Sequence, residues 1–353
     1  MLHLPKEFEG KSVAIMPISR IVFNLPFRIG SFYFFPPGSL DIISLNPLAL
    51  ANLEKYRISD YEIVLNDNGI RWAASAITKF DINTLEDNPL VVFPFECDWR
   101  IFLTKSHEDD IELINELSSE AERPLDLIRY KFCRFDLPDT LPGAPGSWEG
   151  SGQFLGAMLH DPIANKSYLV AGAAVESIVI VKGLGLEVDT PLSAIWIDPR
   201  SSELSGIITH ALSLYSDVMY ASSETTRYAR AMTLLEFLGS PDEYKTWKKL
   251  KSEIICHLAA DKAGFHRLVE RFKELTNKED DNDTQTGFRT LIVHHGKFLH
   301  ELIPSQEDRK RLFKEIQRYA ARVLEDMIDH RQLTWSAFQD YRSNLKRNLG
   351  VLP

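Results

Sequence analysis

The periodicity of apolar residues changes once along this chain, near Asp198 and Pro199, and this change limits the folds open to it. Before that point, short segments rich in β-branched and aromatic residues are separated by Gly, Pro and Asn, which is typical of strands and turns. After it, apolar residues recur every three or four positions, which is typical of amphipathic helices. The sequence therefore predicts an α+β protein, with a β-rich domain over residues 1–199 and an all-α helical domain over residues 200–353.

The strand pattern recurs through the first half of the chain. A hairpin turn is expected at Asn68-Gly69, between two of the strand segments. One helix is expected at about Glu108–Ala121, and the Pro- and Gly-rich stretch 137–152 is expected to form a loop. The predicted strand segments are KSVAIMPISRIVF, GSFYFFPPG, YEIVLNDNGIRWAASAI, NPLVVFPFECDWRIFLT, KSYLVAGAAVESIVIVKGL and SAIWID.

The sequence of the second half predicts a series of helices with short connections, as in a helical bundle. Ser222 and Ser223 are expected to cap the second of these helices, and Gly239 is expected to stop it just beyond its C-terminus. The acidic run 277–285 is expected to be a solvated loop. The predicted helices are 203–219, the segment from Ser223 to Gly239, Tyr244–Ala259, Lys262–Thr276, a segment from near Thr286 to Pro304, Gln306–His330 and Trp335–Arg347.

The charge of the chain is unevenly distributed. The formal net charge is −10, but residues 1–199 hold 16 Lys and Arg against 28 Asp and Glu, a net −12, whereas residues 200–353 hold 24 against 22, a net +2. Neither half has the strongly basic character of a domain that grips duplex DNA, so stable binding to duplex DNA is not expected. A near-neutral second half is compatible with brief binding of a short single-stranded RNA.

Composition also predicts the compartment. No apolar run approaches the roughly 20 residues of a membrane helix, and the first residues lack the basic-then-apolar pattern of a secretory signal. The three cysteines, Cys97, Cys133 and Cys256, lie far apart and fit no metal-binding spacing. We expect a cytoplasmic protein without membrane association, with reduced and mostly buried thiols and no metal or other cofactor.

One segment of the second half combines residue types that carry chemistry, Phe288-Arg289-Thr290-Leu291-Ile292-Val293-His294-His295-Gly296. Of the ten histidines, only His294 has an arginine five positions earlier. The segment resembles the R-x4-H motif of HEPN domains, and the phrase FR-x4-HHG resembles most the Apea-like branch. The preceding SETTRYARAMTLLEFL is similar to that branch's helix, in which an acidic residue precedes an arginine and a glutamate closes the helix. The resemblance covers about 150 residues of the second half and does not extend to residues 1–199.

The resemblance implies a metal-independent endoribonuclease with Arg289 and His294 as catalytic residues. RNA can be cut when its own 2′-OH attacks the adjacent phosphate. Histidine titrates near neutrality and can move the proton, while a guanidinium matches the geometry of the phosphate oxygens. The resemblance further implies a homodimer in which two motifs line one cleft, and a role in bacterial defence or as a toxin, with RNA as the substrate.

Three residues are candidates for supporting roles. Thr290 stands where many family members have Asn or another polar residue, and its hydroxyl can still form a hydrogen bond. His295 is the second choice for the catalytic histidine, or positions a phosphate. Glu236 is expected either to orient Arg289 or to be an ordinary surface carboxylate. On an ideal helix, positions five apart differ by about 140° and 7.5 Å of rise, so Arg289 must reach round or the first turn must be irregular.

Two competing interpretations stay open. In the first, the helical domain is a non-catalytic module that dimerises or binds RNA or a nucleotide. The intact Arg–His pair favours the enzyme, whereas Thr290 and the low positive charge favour the module. In the second, the β-rich domain is the functional part and the helices are a scaffold. Under the ribonuclease interpretation, the β-rich domain senses a signal or restrains the helical domain.

Overall fold

The computed structural model divides into two compact units. The first comprises Met1–Leu125 and Asp139–Trp196, and the second comprises Asp126–Pro138 and Ile197–Pro353. Strands are concentrated in the first unit and helices in the second, so the protein is α+β, as predicted. The structure describes residues 1–45, 47–48, 63–66, 69–73, 77–105, 107–137, 141–148, 154–173, 185–192, 194–279, 281 and 284–352.

The first unit contains a mostly antiparallel sheet. Seven strands form this sheet in the order β3-β4-β9-β1-β10-β11-β5, β6-β7-β8 form a second sheet, and β12 pairs with β2. Only the pairs β11–β5 and β12–β2 are parallel among the pairings of the described strands. The strands are β1 (Val13–Pro17), β2 (Ile21–Val22), β3 (Phe27–Ile29), β4 (Phe32–Phe35), β5 (Pro47–Leu48), β6 (Ile63–Asn66), β7 (Gly69–Ala73), β8 (Ile77–Phe80), β9 (Leu90–Pro94), β10 (Phe154–Asp161), β11 (Lys166–Ala173) and β12 (Leu186–Glu187).

The centre of the large sheet is strand β1. All five of its residues are buried, and Ile15 lies opposite Val92 on β9 and Met158 on β10. A strand covered on both faces is apolar at every position rather than at alternate positions. This explains why VAIMP is a continuous apolar run.

Two of the predicted strand segments are wrong in part. The segment SAIWID contributes no strand over residues 194–198, where Trp196 instead covers the α-carbon of Gly30 and contacts Phe32. The segment ending in WRIFLT leaves the sheet after Pro94, because Asp98 accepts hydrogen bonds from the next amides and starts a short helix. The helices of the first part of the chain are α1 (Ile82–Asp87), α2 (Trp99–Phe102) and α3 (His107–Phe132).

The predicted helix at Glu108–Ala121 is longer than expected. Helix α3 continues through Pro124 to Phe132, although an internal proline removes one backbone hydrogen bond. The buried stripe continues on both sides of Pro124, which supplies the packing that maintains the helix. The buried apolar residues of this stripe are Ile114, Leu117, Ala121, Leu125 and Ile128.

The predicted hairpin is present as a strand pairing, but Gly69, predicted as a turn residue, is the first residue of β7. Strands β6 and β7 pair antiparallel with Asn66 opposite Gly69. Asn68 lies outside the described residues, as do residues 138–140 and 149–152 of the predicted loop 137–152.

The second unit is a helical bundle. Helix α4 has the predicted bounds, and Ser223 caps helix α5 by accepting a hydrogen bond from the amide of Thr226, as predicted. The helices are α4 (Glu203–Met219), α5 (Glu224–Gly239), α6 (Trp247–Ile255), α7 (Lys262–Leu275), α8 (Phe288–Val293), α9 (Leu299–Leu302), α10 (Gln306–Asp329) and α11 (Trp335–Asn348).

The long helix α10 packs against α4 and α5. Its predicted apolar stripe is buried within the second unit, which stabilises the bundle and accounts for the amphipathic pattern. The residues of the stripe are Leu312, Ile316, Tyr319, Ala320, Val323 and Met327.

Gly239 has a different role from the predicted one. It is the last residue of α5 rather than a left-handed residue beyond the helix. A Cβ at this position would lie 2.8 Å from Cγ of Leu250 on α6, so the absence of a side chain permits close helix packing.

A buried polar network attaches α11 to the bundle. The fully buried Arg342 donates hydrogen bonds to the carbonyls of Leu238 and Gly239 at the end of α5, at 2.7 and 3.0 Å. Its Nε donates to Nε2 of His257 at 3.0 Å, and Nδ1 of His257 lies 2.7 Å from Asp326. Because Nε2 accepts, Nδ1 must carry the proton that is donated to Asp326. Burial lowers the pKa of His257, and the Arg342 cation adds to this effect.

Within the described part of the chain, no helix has both the length and the apolar character needed to cross a membrane.

Candidate active site

The segment that carries Arg289 and His294 is anchored to the end of helix α7. The amide and the hydroxyl of Thr290 both donate to the carbonyl of Thr276, at 3.1 and 3.0 Å. Gly287 lies against the same carbonyl, and a Cβ there would be 2.4 Å from the oxygen. Only glycine permits this approach without moving the backbone. Thr290 is therefore an anchor that fixes the first turn of α8.

The predicted continuous helix from near Thr286 to Pro304 is wrong, because the structure contains two short helices, α8 and α9. Gly296 has φ +67°, a left-handed conformation that glycine adopts without strain. The amide of Lys297 donates back to the carbonyl of Leu291 at 3.1 Å, which closes the end of α8. His294 and His295 consequently lie in an exposed turn rather than inside a helix.

Arg289 is oriented by a carboxylate on the neighbouring helix α5. Its Nη2 lies 2.8 Å from Oε1 of Glu236, and the side chains are 24% and 29% exposed. The indole Nε1 of Trp247, at the start of α6, donates to the same oxygen of Glu236 at 2.7 Å. Of the two roles left open for Glu236, the structure therefore shows the contact with Arg289. The indole restricts the orientation of the Glu236 carboxylate, and the carboxylate restricts the orientation of the Arg289 guanidinium.

A buried tyrosine lies close enough to Arg289 to feel its charge. Tyr228 on α5 is fully buried, and its hydroxyl donates to the carbonyl of Leu275 at 2.5 Å. Burial raises the pKa of Tyr228 well above its usual range, and the nearby Arg271 and Arg289 cations only partly oppose this effect. Arg289 thus has a neutral phenol nearby and Glu236 as its ion-pair partner.

The structure places the predicted site residues in two groups. Arg289, Glu236 and Thr290 are partly buried and held by neighbouring elements. His294 and His295 are exposed, and within the described ranges neither ring makes a hydrogen bond or an ion pair. One chain therefore presents an oriented cation and two imidazoles that are free to meet a ligand.

The sequence analysis missed Trp247 and Gly287. Trp247 lies inside a predicted helix, where a tryptophan is most simply read as a core residue, and its hydrogen bond to Glu236 requires the packing of α5 on α6. Gly287 could have been noticed as a glycine two positions before Arg289. Nothing in the sequence, however, indicates that the carbonyl of Thr276 approaches it.

Other ionisable groups give no competing metal centre in the part of the chain that the structure describes. There, no group of three or more His, Cys, Asp and Glu side chains is arranged to hold a metal ion. Cys133 and Cys256 are buried, as expected, and Cys97 is half-buried.

Comparisons of the chain with protein-family profiles, with curated proteins and with solved structures found no match.

Proposed function

We propose that the second unit is a HEPN-type ribonuclease domain and that Arg289 and His294 cut single-stranded RNA without a metal ion. The observation that carries the proposal is the Trp247–Glu236–Arg289 arrangement, which holds a guanidinium in place while leaving part of it exposed. A guanidinium held in this way needs little further ordering to bind a phosphate oxygen.

The proposed reaction uses the RNA's own nucleophile. The 2′-oxygen forms a bond to the adjacent phosphorus, and the bond from phosphorus to the 5′-oxygen of the next nucleotide breaks. The products are a 2′,3′-cyclic phosphate and a free 5′-OH. Arg289 binds the phosphate oxygens, and His294 takes the proton from the 2′-OH or returns one to the leaving oxygen. His295 is the alternative proton carrier.

A single copy leaves one part of this mechanism open. Arg289 points towards α5, whereas His294 is exposed at the far end of the six-residue helix α8. A homodimer in which His294 of one protomer meets Arg289 of its partner would complete the site, as the family resemblance implies. The proposal also includes a cytoplasmic defence or toxin role regulated by the acidic first half of the chain.

The proposal is tested by cleavage of a single-stranded RNA with the purified full chain and three variants. Arg289→Lys keeps the charge but loses the planar fork, so kcat/KM should fall about a hundredfold. His294→Ala should lower kcat by a similar factor with little change in RNA affinity. His266→Ala, an exposed histidine on α7, is the matched control and should retain full activity.

All variants should keep the wild-type melting temperature, because a structural role would instead show as unfolding. A fourth variant, His295→Ala, tests the alternative proton carrier: wild-type cleavage by His294→Ala together with an inactive His295→Ala would assign proton transfer to His295. Unchanged cleavage in Arg289→Lys, His294→Ala and His295→Ala would overturn the ribonuclease proposal and leave the binding module in its place.

A further inference from the structure

The turn that follows the catalytic motif presents an aromatic pair to solvent. Phe298 is 55% exposed, and its ring stacks on the exposed His300 with a centroid separation of 5.5 Å and an interplanar angle of 19°. Most large apolar side chains of the described second unit are buried, so a phenylalanine left in water next to the motif is an exception.

The backbone beneath this pair is fixed from both sides. The amide of Phe298 donates to Oε2 of Glu301 at 2.9 Å, and the amide of Leu299 donates to Oγ1 of Thr225 on α5 at 3.0 Å. Leu299 itself is fully buried. The exposed ring is therefore presented by an ordered segment rather than by a loose loop.

The surroundings of the ring carry positive or protonatable groups. Lys297 precedes Phe298 and is exposed, and His294 and His295 lie in the same turn. Val293, 49% exposed, is the other large apolar side chain of this surface. A flat π-face beside cationic groups is the combination that binds single-stranded nucleic acid, in which a base stacks and the phosphate meets a cation.

We propose that Phe298 and His300, with Lys297, form a stacking platform for one base of single-stranded RNA beside the cleavage site. The platform rests on the proposed function for the identity of its substrate. A second copy of the chain is a poorer occupant of the Phe298 ring itself, because a stable interface buries about 800 Å² per partner and this surface offers two exposed large apolar side chains. The shared cleft of the proposed homodimer requires the partner to contact His294 and not the Phe298 ring. Stacking also restricts the substrate to unpaired strands, since a base within a duplex has no free face.

The test measures binding separately from cleavage. The full chain is titrated with a fluorescent single strand of about ten nucleotides with 2′-O-methyl ribose, which lacks the attacking hydroxyl. A strand of the same length with abasic sites reports the phosphate contribution alone. Phe298→Ala should weaken binding of the strand with bases about tenfold or more, and leave binding of the abasic strand unchanged.

Four further substitutions complete the design. Phe298→Tyr keeps a π-face and should restore most of the affinity. Ile163→Ala removes another exposed apolar side chain, 91% exposed in the first unit, and should bind as the wild type does. His300→Ala is paired with His266→Ala, since both histidines are exposed and lie next to a phenylalanine, and only the former should weaken binding.

The platform is overturned if Phe298→Ala binds both strands as the wild type does, or if it loses affinity for both strands equally. A change in oligomeric mass with unchanged RNA binding would also overturn it and would assign Phe298 to an interface. These outcomes are independent of the ribonuclease proposal. If binding depends on the bases and on Phe298, but cleavage is unchanged in Arg289→Lys and His294→Ala, the platform stands and the proposed catalytic site is wrong.

Discussion

Gly287→Ala is the substitution that most directly tests how the motif is positioned. The added Cβ would lie 2.4 Å from the carbonyl oxygen of Thr276 and 2.6 Å from the amide nitrogen of Asn277. Both are backbone atoms, so relief requires the first turn of α8 to move away from the end of α7. The two hydrogen bonds from Thr290 to the carbonyl of Thr276 would then lengthen or break.

The magnitude follows from these contacts. Forcing an extra methyl group into a packed site costs about 1–3 kcal/mol, and each weakened hydrogen bond adds about 1 kcal/mol. We expect the free energy of unfolding to fall by about 3–5 kcal/mol, measured by urea denaturation. Cleavage should fall with it, because Arg289 would lose its position beside Glu236.

Gly296→Ala provides the matched control. Gly296 is left-handed with φ +67°, and a Cβ there would meet no atom within 4 Å. The only cost is backbone strain of about 1–2 kcal/mol, and Arg289 should keep its contacts. In hydrogen exchange, peptides covering 286–293 should lose protection in Gly287→Ala but not in Gly296→Ala. A Gly287→Ala protein that is as stable and as protected as the wild type would refute the anchoring of α8 on α7.

Three further predictions concern pH, thiols and assembly. The pKa of His257 is lowered in the folded protein, so the unfolded chain binds more protons than the folded one as the pH falls below about 6.5. The free energy of unfolding should therefore decline from pH 7 to pH 5, by at most about 1.4 kcal/mol per pH unit from this group. His257→Gln should reduce this dependence of the unfolding free energy on pH. The same pH dependence in the variant and the wild type, measured by denaturation curves, would contradict the assignment of the effect to His257. Burial raises the pKa of Cys133 and of Cys256 to about 11, so at pH 8 iodoacetamide should modify Cys97 first in the native protein; rapid loss of all thiols would disagree. Light scattering should give a molecular mass of twice 40.3 kDa, the mass of a dimer. A fully active monomer would exclude the shared cleft.

Helices with strong local signals were predicted closely from the sequence. Helix α4 has the predicted bounds, and α10 differs from the predicted segment by one residue at its C-terminus. Capping serines begin both helices, and a regular apolar stripe continues through each of them. These signals depend on neighbouring residues alone, so they can be recognised without knowledge of the fold.

Elements defined by distant contacts were not predictable in the same way. Strand β10, FLGAMLHD, was missed because it contains no β-branched residue and its strand conformation depends on pairing with β1 and β11. Gly156 within it provides space for the ring of Phe80, a contact between residues far apart in the sequence. The break at Gly296 was missed because apolar residues at helical spacing continue on both sides of it.

The candidate site was predicted in part. The motif and Glu236 as a candidate partner of Arg289 were identified from the residue pattern and the family resemblance, and the structure shows their contact, which is one of the two roles left open for Glu236. The exposure of His294 and His295 does not, because it depends on the left-handed turn. The support from Trp247 depends on the packing of one helix against another, which periodicity alone does not specify.

The most direct test of the proposed mechanism is the chemistry of the cleaved RNA ends. The full chain is incubated with a 5′-labelled single-stranded RNA in EDTA, and the products are analysed by mass spectrometry. We expect 2′,3′-cyclic phosphate and 5′-OH ends from the wild type, and no such ends from His294→Ala. Products with 3′-OH and 5′-phosphate ends, or cleavage that EDTA abolishes and Mg²⁺ restores, would rule out the metal-independent mechanism.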